Sequence, residues 1–435
     1  MKDSGVEWIG EIPETWDILP AKRMFCNSGE TKKADDVQLT ASQQYGIISQ
    51  SDYMALTGSR VVLATQDLEK WKHVEPQDFI ISLRSFQGGL EMSKVSGCIT
   101  WHYVVLRSCH KGINARFYKW LFKSSEYITA LQRTCNYIRD GQDLRYSNFE
   151  QVPLFLPKEE EQEIIANILD TKCAEIDKVV EQTRATIEEY KKLKQAIITE
   201  AVTKGVRGPR SLKPSGVEWI GDIPEEWHRS RVGLHYHVVL GKMLCNTQQA
   251  DDYTLEPYYC AADIHFGSVD AAKKEMWFSP EEKDTYRVMP GDLLVVEGGA
   301  GAGGCAIVKA SVTATYIQNS IMIVRGKSTC SVAYLGYWIE SLVKRAYIDV
   351  VCNKATIPHF TKDKLSSVPI PLPSAEEQQE IAAYLDTKCA EIDRIIEKKE
   401  QLIEELGSYK KSLIYEYVTG KKEIKIHNYS QGTIC

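Results

Sequence analysis

Apolar positions along this chain keep two rhythms. From Leu169, the residues Cys173, Ile176, Val180, Thr183, Ile187, Tyr190, Lys194, Ile197 and Ala201 follow alternating steps of four and three. From Leu385, the residues Cys389, Ile392, Ile396, Lys399, Ile403, Leu406, Lys410, Leu413 and Tyr417 repeat that register. Such steps put one stripe on one helix face, and a stripe rimmed with Glu and Lys predicts a coiled-coil seam. Two similar seams in one chain are natural partners. Leu169, Ile176, Val180 and Ile187 on one helix and Leu385, Ile392, Ile396 and Ile403 on the other are therefore expected to carry the pairing. Lys194 and Lys410 fall at matching places and are expected to weaken the seam locally. Each seam would run for roughly 50 Å at 1.5 Å per residue.

The second rhythm is short, β-branched and punctuated. FIIS follows Pro76-Gln77-Asp78, and LLVV follows Pro290-Gly291-Asp292; HYVVLR ends at Arg107, and SIMIVR ends at Arg325. Strand-like runs between Gly and Pro/Asp turns predict mixed α/β domains built around twisted strands.

These patterns belong to one duplicated order. SGVEWIGEIPETW (Ser4–Trp16) returns as SGVEWIGDIPEEW (Ser215–Trp227), with eleven of thirteen positions identical. LDTKCAEID at Leu169–Asp177 returns unchanged at Leu385–Asp393, each copy following a Pro-punctuated stretch, VPLFLPKEEEQE and VPIPLPSAEEQQ. The stretches between share little sequence. This order divides the chain into an N-terminal arm (1–16), a first variable domain (17–151), a helical region (152–204), a linker with the second arm (205–227), a second variable domain (228–367), a second helical region (368–424) and a tail (425–435).

Charge changes this picture in one respect. The chain is net −6, which argues against a nucleic-acid binder. The acidity sits in the helical segments, at −3 and −4, whereas the variable domains are +3 and +1. Twelve cysteines without a C-x-x-C pair or a Cys/His cluster at zinc spacing predict free thiols and no metal. His235 and His237 read as strand alternation. No apolar run reaches the roughly 20 residues of a membrane helix, and no signal peptide opens the chain, so a cytoplasmic protein without membrane contact is expected.

Taken together, the paired phrases Gly5-Val6-Glu7-Trp8-Ile9-Gly10 and Gly216-Val217-Glu218-Trp219-Ile220-Gly221, the two LP-x-x-x-E-Q stretches and the duplicated LDTKCAEID resemble the DNA-specificity (S) subunit of type I restriction-modification systems, over nearly the whole chain. The resemblance implies an α+β fold: two mixed α/β target recognition domains separated by two long helices, paired as an antiparallel coiled coil with a pseudo-twofold internal repeat. It implies double-stranded DNA as partner, each domain reading one half of a split site. It implies two methyltransferase (M) subunits docked on the repeated regions, with restriction (R) subunits joining to translocate and cleave. It implies no catalytic residue and no cofactor. Trp8, Trp16, Trp219 and Trp227 are either docking residues or structural clamps.

Direct readout favours Arg, Lys, Asn and Gln at base edges and Ser or Thr on phosphates. Candidates in the first domain are Lys32, Lys33, Arg84, Ser85, Arg139, Gln142 and Arg145. In the second they are Lys242, Tyr258, Asn319, Asn353 and Lys354. An enzyme reading, a DNA methyltransferase dependent on S-adenosylmethionine, rests on Gly298–Gly304, which holds G-x-G-x-x-G after an apolar strand. The strand-like CAIVKA follows where a helix is needed, and no acidic residue closes a βαβ unit. A glycine-rich hairpin is the better reading. A scaffold that binds only proteins would explain the helices but leave two divergent domains without a task.

Overall fold

The structure, a computed structural model, describes residues 1–42, 45–59, 67–81, 90–134, 144–309, 314–352 and 358–424. The chain divides into two compact units, one formed by Met1–Thr183 with the stretch from Glu400 onward, the other by Arg184–Lys399. Each cut falls inside a long helix. The first helix spans Glu159–Lys204 and the second Ala375–Val418. Among the described residues, no helix is long and apolar enough to cross a membrane.

In the first unit, Lys2–Asp3 and Glu11–Ile12 pair antiparallel and bring Ile9, Ile12 and Trp16 inward. The next strand, Asp17–Leu19, pairs with Leu154–Leu156, part of the Pro-punctuated stretch. A four-stranded sheet follows in the order Phe25–Asn27, Val104–Ser108, Phe79–Ile81, Glu91–Met92. The helices Ala115–Leu121 and Ser125–Arg133, with Phe122 between them, supply Phe117, Tyr118, Leu121, Phe122, Tyr127 and Leu131 to its core. Phe25 lies at its centre, with edge-to-face contacts to Phe79, Tyr118, Phe122 and Phe149 at 5.2–6.2 Å between centroids.

The second unit repeats this plan. Leu212–Pro214 pairs with Asp222–Pro224, and His228–Arg231 with Pro369–Leu372. Its four-stranded sheet runs Tyr236–Leu240, Ile321–Gly326, Leu293–Val296, Cys305–Ile307, and the helix Val332–Lys344 covers one face. Strand alternation explains why LLVV is apolar throughout. Leu293 and Val295 enter the core under the helix, whereas Leu294 and Val296 enter a second core on the opposite face. In the first unit Phe79 and Ile81 divide from Ile80 in the same way.

One ion pair to a buried aspartate anchors each sheet. Arg107 donates from Nε and an Nη to both Asp78 oxygens at 2.9 and 2.7 Å, and Arg325 holds Asp292 at 2.7 Å twice. Both carboxylates are buried and also accept a backbone N–H, from Glu75 and from Met289, at 2.8 Å. Each closes a turn whose preceding residue has positive φ, Gln77 at 76° and Gly291 at 90°. The aligned P-x-D runs and strand-terminal arginines are thus one structural device used twice.

The long helices run antiparallel. In the first unit Ile165, Leu169, Cys173 and Ile176 share a core with Leu413, Ile414 and Val418 from the far end of the second helix. In the second unit Ile198, Ala201 and Val202 share one with Ile381, Leu385 and Cys389. The expected pairing residues lie on the inner stripe: Leu169, Ile176, Ile187, Leu385 and Ile392 are buried, and Val180, Ile396 and Ile403 are half-buried. Burial pushes the Cys173 and Cys389 thiols up to about 11, so both act as small seam residues. Lys194 and Lys410 do not simply weaken the seam: each reaches across it to an aspartate of the other helix, Asp393 and Asp177.

Gly205 ends the first helix with φ 78°, its N–H bonded to the Ala201 carbonyl at 2.9 Å. A side chain there would run into the Arg210 guanidinium as well as adopt a conformation that L-residues avoid.

Candidate nucleic-acid interface

The repeated arms resolve into two kinds of tryptophan. Trp16 and Trp227 are each 1% exposed. Trp16 donates Nε1–H to Glu161 at 3.1 Å and stacks on Phe155 at 5.2 Å; Trp227 donates to Glu377 at 2.9 Å beneath the Arg210 guanidinium. Both glutamates stand in the first turn of a long helix, so these rings clamp the arm to the helix start. That corrects the docking expectation for Trp16 and Trp227, because a side chain so enclosed has no surface to offer. Trp8 and Trp219 are only half-buried, against Tyr127 and Tyr347, each at 5.4 Å.

In the first domain the turn after Phe25–Asn27 carries Lys32 and Lys33. Lys33 points its ammonium at His73 Nε2 at 2.8 Å and Glu75 at 3.2 Å, and remains half exposed. His73 is buried, and its Nδ1 faces Asp36 at 2.8 Å. Its Nε2 lies between the Lys33 ammonium at 2.8 Å and Glu75 at 3.3 Å. Hydrogen bonds from Lys33 and His73, with the charges of Arg107 and Lys33, hold the Glu75 carboxyl below the usual range. Glu30, His73 and Glu75 bring three ligand atoms within 4.8 Å of one another, but the Lys33 ammonium already supplies the cation there. Lys32 bonds the Lys33 carbonyl at 2.9 Å from the solvent side. Arg145 is exposed at the start of the short helix Tyr146–Phe149, its own N–H held by Asn148 at 3.0 Å.

The second domain departs further from expectation. Lys242 is 9% exposed, and its ammonium donates to the Trp277 carbonyl at 2.9 Å and to Glu282, with Tyr253 and Phe278 rings at 5.1 and 5.3 Å. It is an internal strut, satisfied without DNA, and leaves the candidate face. Tyr258 is likewise buried, within a strand pair, and burial pushes its phenol up. Asn319 is half-buried, its N–H bonded to the Lys242 carbonyl at 2.8 Å. Arg84, Ser85, Arg139, Gln142, Asn353 and Lys354 lie outside the described residues.

Sheet register aligns the two domains at one position, and an exposed pair that the sequence reading passed over follows it in the second. Cys26 pairs with Arg107 and His237 with Arg325, the two equivalent arginines. Counting on from those positions, Lys32 and Lys33 correspond to Met243 and Leu244, one step beyond Lys242. Both are exposed. An apolar pair inside the polar run GKMLCNTQQ was the available signal.

The glycine-rich segment is a hairpin. Leu293–Val296 and Cys305–Ile307 pair antiparallel across it, and Gly303 and Gly304 bond back to Val296 and Gly301. The strand Cys305–Ile307 follows where a helix N-terminus would have to receive a phosphate, so the nucleotide-loop reading lacks its structural context.

The family model for the type I restriction modification DNA specificity domain matches residues 13–189 and 251–405. A chain named as the MjaX type I restriction enzyme specificity subunit of Methanocaldococcus jannaschii is 22% identical over 443 residues, 96% of each chain. The EcoBI specificity subunit of Escherichia coli is 26% identical over 281 residues, 61% of this chain and 57% of its own. A solved structure from work on complex assembly and conformational transition of the type I R-M system aligns over 95% of this chain and 100% of its own, at TM-score 0.69 and 16% identity. The HsdS subunit from Thermoanaerobacter tengcongensis aligns over 95% and 98%, at TM-score 0.54 and 16% identity. At that identity the likeness carries the fold. With the family model over most of its residues and the duplicated arm, sheet and helix plan end to end, this chain belongs to the type I restriction–modification DNA specificity family, as a non-catalytic specificity subunit with two target recognition domains.

Proposed function

We propose that the chain reads a bipartite, asymmetric DNA site, one half with each recognition domain, and docks two methyltransferase subunits on its repeated arms and helices. Restriction subunits join through those methyltransferases, and the assembly works in the cytoplasm on double-stranded DNA. The observation that carries this reading is the contrast within the repeat. The arms recur at eleven of thirteen positions and the helix-start glutamates and Arg–Asp sheet anchors recur with them, while the turns that follow the first sheet strand differ, Lys32-Lys33 against Met243-Leu244. Two copies of one partner need the same surface twice; two different half-sites need different ones.

The DNA-facing set of the first domain is Lys32, Lys33, Arg84, Ser85, Arg139, Gln142 and Arg145, and that of the second includes Asn319, Asn353 and Lys354. Trp8 and Trp219 remain as docking residues. Methylome sequencing of a host carrying the complete system tests this reading. A split motif is expected, and replacing residues 17–151 with the corresponding domain of another specificity subunit is expected to change one half only. A continuous motif, or a change in both halves, would overturn it.

A further inference from the structure

The turn after Tyr236–Leu240 is fixed on both sides of two exposed apolar residues. Gly241 backs onto the Gln318 carbonyl, where a Cβ would collide. Lys242 is locked by its ammonium and by its backbone, whose N–H and C=O bond Ile317 and Asn319 at 3.2 and 2.8 Å. Cys245 is buried, and its carbonyl accepts the Trp277 N–H at 3.0 Å. Between these anchors Met243 is 76% exposed and Leu244 51%. Single exposed apolar side chains are common and need no explanation. Two adjacent ones on a turn held at both ends are different, because the anchors keep them from folding back onto the core.

We propose that Met243 and Leu244 form an apolar fingertip that packs on the C5 methyl of a thymine in the half-site read by the second recognition domain. The inference rests on the DNA-reading function proposed above. Two observations favour DNA as the occupant. Counted along the chain from the equivalent strand positions Cys26 and His237, the fingertip falls where the first domain carries Lys32 and Lys33, so matching places in the sequence bear different chemistry in the two domains. The exposed residues that follow, Asn246, Thr247, Gln248 and Gln249, are types that hydrogen-bond base edges. Among the base edges of the major groove, the thymine methyl is the apolar feature, and side chains such as these are what can contact it.

The test uses the assembled complex of this chain with its methyltransferase subunits. Its duplexes carry the methylated motif, with the second half-site identified by the domain replacement described above. Deoxyuridine, which lacks only the methyl, replaces each thymidine of that half-site in turn. One position is expected to weaken wild-type binding about fourfold, the value of one buried methyl-sized group. A Met243→Ser, Leu244→Ser double variant is expected to be insensitive at that position and to discriminate the first half-site as before. Both side chains are exposed, and an unchanged unfolding temperature confirms that the variant is folded. Insensitivity of the wild type at every thymine, a second half-site of G·C pairs alone, or undiminished sensitivity in the variant would overturn the fingertip. So would release of the methyltransferase subunits by the variant, which would make the surface a protein contact. Failure of the wild-type complex to prefer its own methylated motif would instead sink the DNA-reading function itself, and the fingertip with it.

Discussion

Lys194 and Asp393 meet across the helix pair at 2.7 Å, and Lys410 repeats the contact with Asp177 at 2.6 Å. The two lysines occupy the same place in the duplicated helices, as do the two aspartates, so one interaction is made twice in opposite directions. Both pairs are partly exposed, and each is worth about 0.5–1 kcal/mol. Asp393→Ala is expected to lower stability by about that much in urea unfolding. Adding Lys194→Ala should cost less than the sum of the two single changes, and the double-mutant cycle gives the coupling energy. The same cycle at Lys410 and Asp177 should return the same value.

The arginine–aspartate anchors should be far more costly to break. Arg325→Ala leaves the buried Asp292 carboxylate with only its Met289 N–H partner. A loss of about 3 kcal/mol is expected, the low end for orphaning a buried charge. Arg107→Ala should act likewise through Asp78. Arg325→Lys keeps the charge but not the two-pronged geometry, so it should recover only part of the loss. Urea unfolding measures each.

Two carboxylates give opposite pH signatures. At Asp170 burial works upward, but hydrogen bonds from Lys119, Arg116 and Trp120 outweigh it, and the group sits below the usual aspartate range. Its contribution is therefore present at neutral pH and is lost as pH falls through the depressed folded value. Asp170→Asn should destabilise at pH 7, with the difference from wild type shrinking on acidification. Glu340 is pushed up by burial, against the lowering effect of Lys194 and Lys344. Its charged form costs stability above the raised folded value, and the cost vanishes below the ordinary glutamate range. Glu340→Gln should raise the unfolding temperature at pH 7–8 and give no gain at pH 4. Thermal scans across that range check both signs.

Helix length is expected to set the gap between half-sites. Seven residues added after Glu181 and seven after Glu397 preserve the stripe in both helices and lengthen each by roughly 10 Å, on the order of three base pairs. Unchanged half-sites with a wider non-specific gap are expected in the methylome. Two residues added in place of seven turn the stripe by about 200° and should abolish activity. An active enzyme with the original gap after the seven-residue insertions would refute the dependence.

The sequence disclosed most where local pattern and tertiary outcome coincide. The seam from Leu169 to Ala201, the P-x-D turns and the strand-terminal arginines were all readable, because period and turn chemistry dictate them. Burial that depends on distant neighbours was not. Trp8 and Trp16 stand in one short phrase, yet only Trp16 meets a helix-start glutamate 145 residues away. Lys242 looked like a loop cation until Trp277 and Glu282, from other elements, enclosed it. Lys194 looked like a defect in its own helix because its partner, Asp393, lies on the other one.

The reciprocal ion pairs have a consequence for how much of this chain is needed. The first long helix carries Asp177 and Lys194, and the second carries Asp393 and Lys410, at the same separation. Each helix therefore contains both halves of the interaction, and either one is complementary to a second copy of itself laid antiparallel. A polypeptide of half the length, with one arm, one recognition domain and one helix, already holds the instructions for a symmetric homodimer. Such a dimer would read the same half-site twice, in opposite orientations. Duplication followed by divergence of the sheet-edge turns is then enough to turn a palindrome reader into one for an asymmetric site.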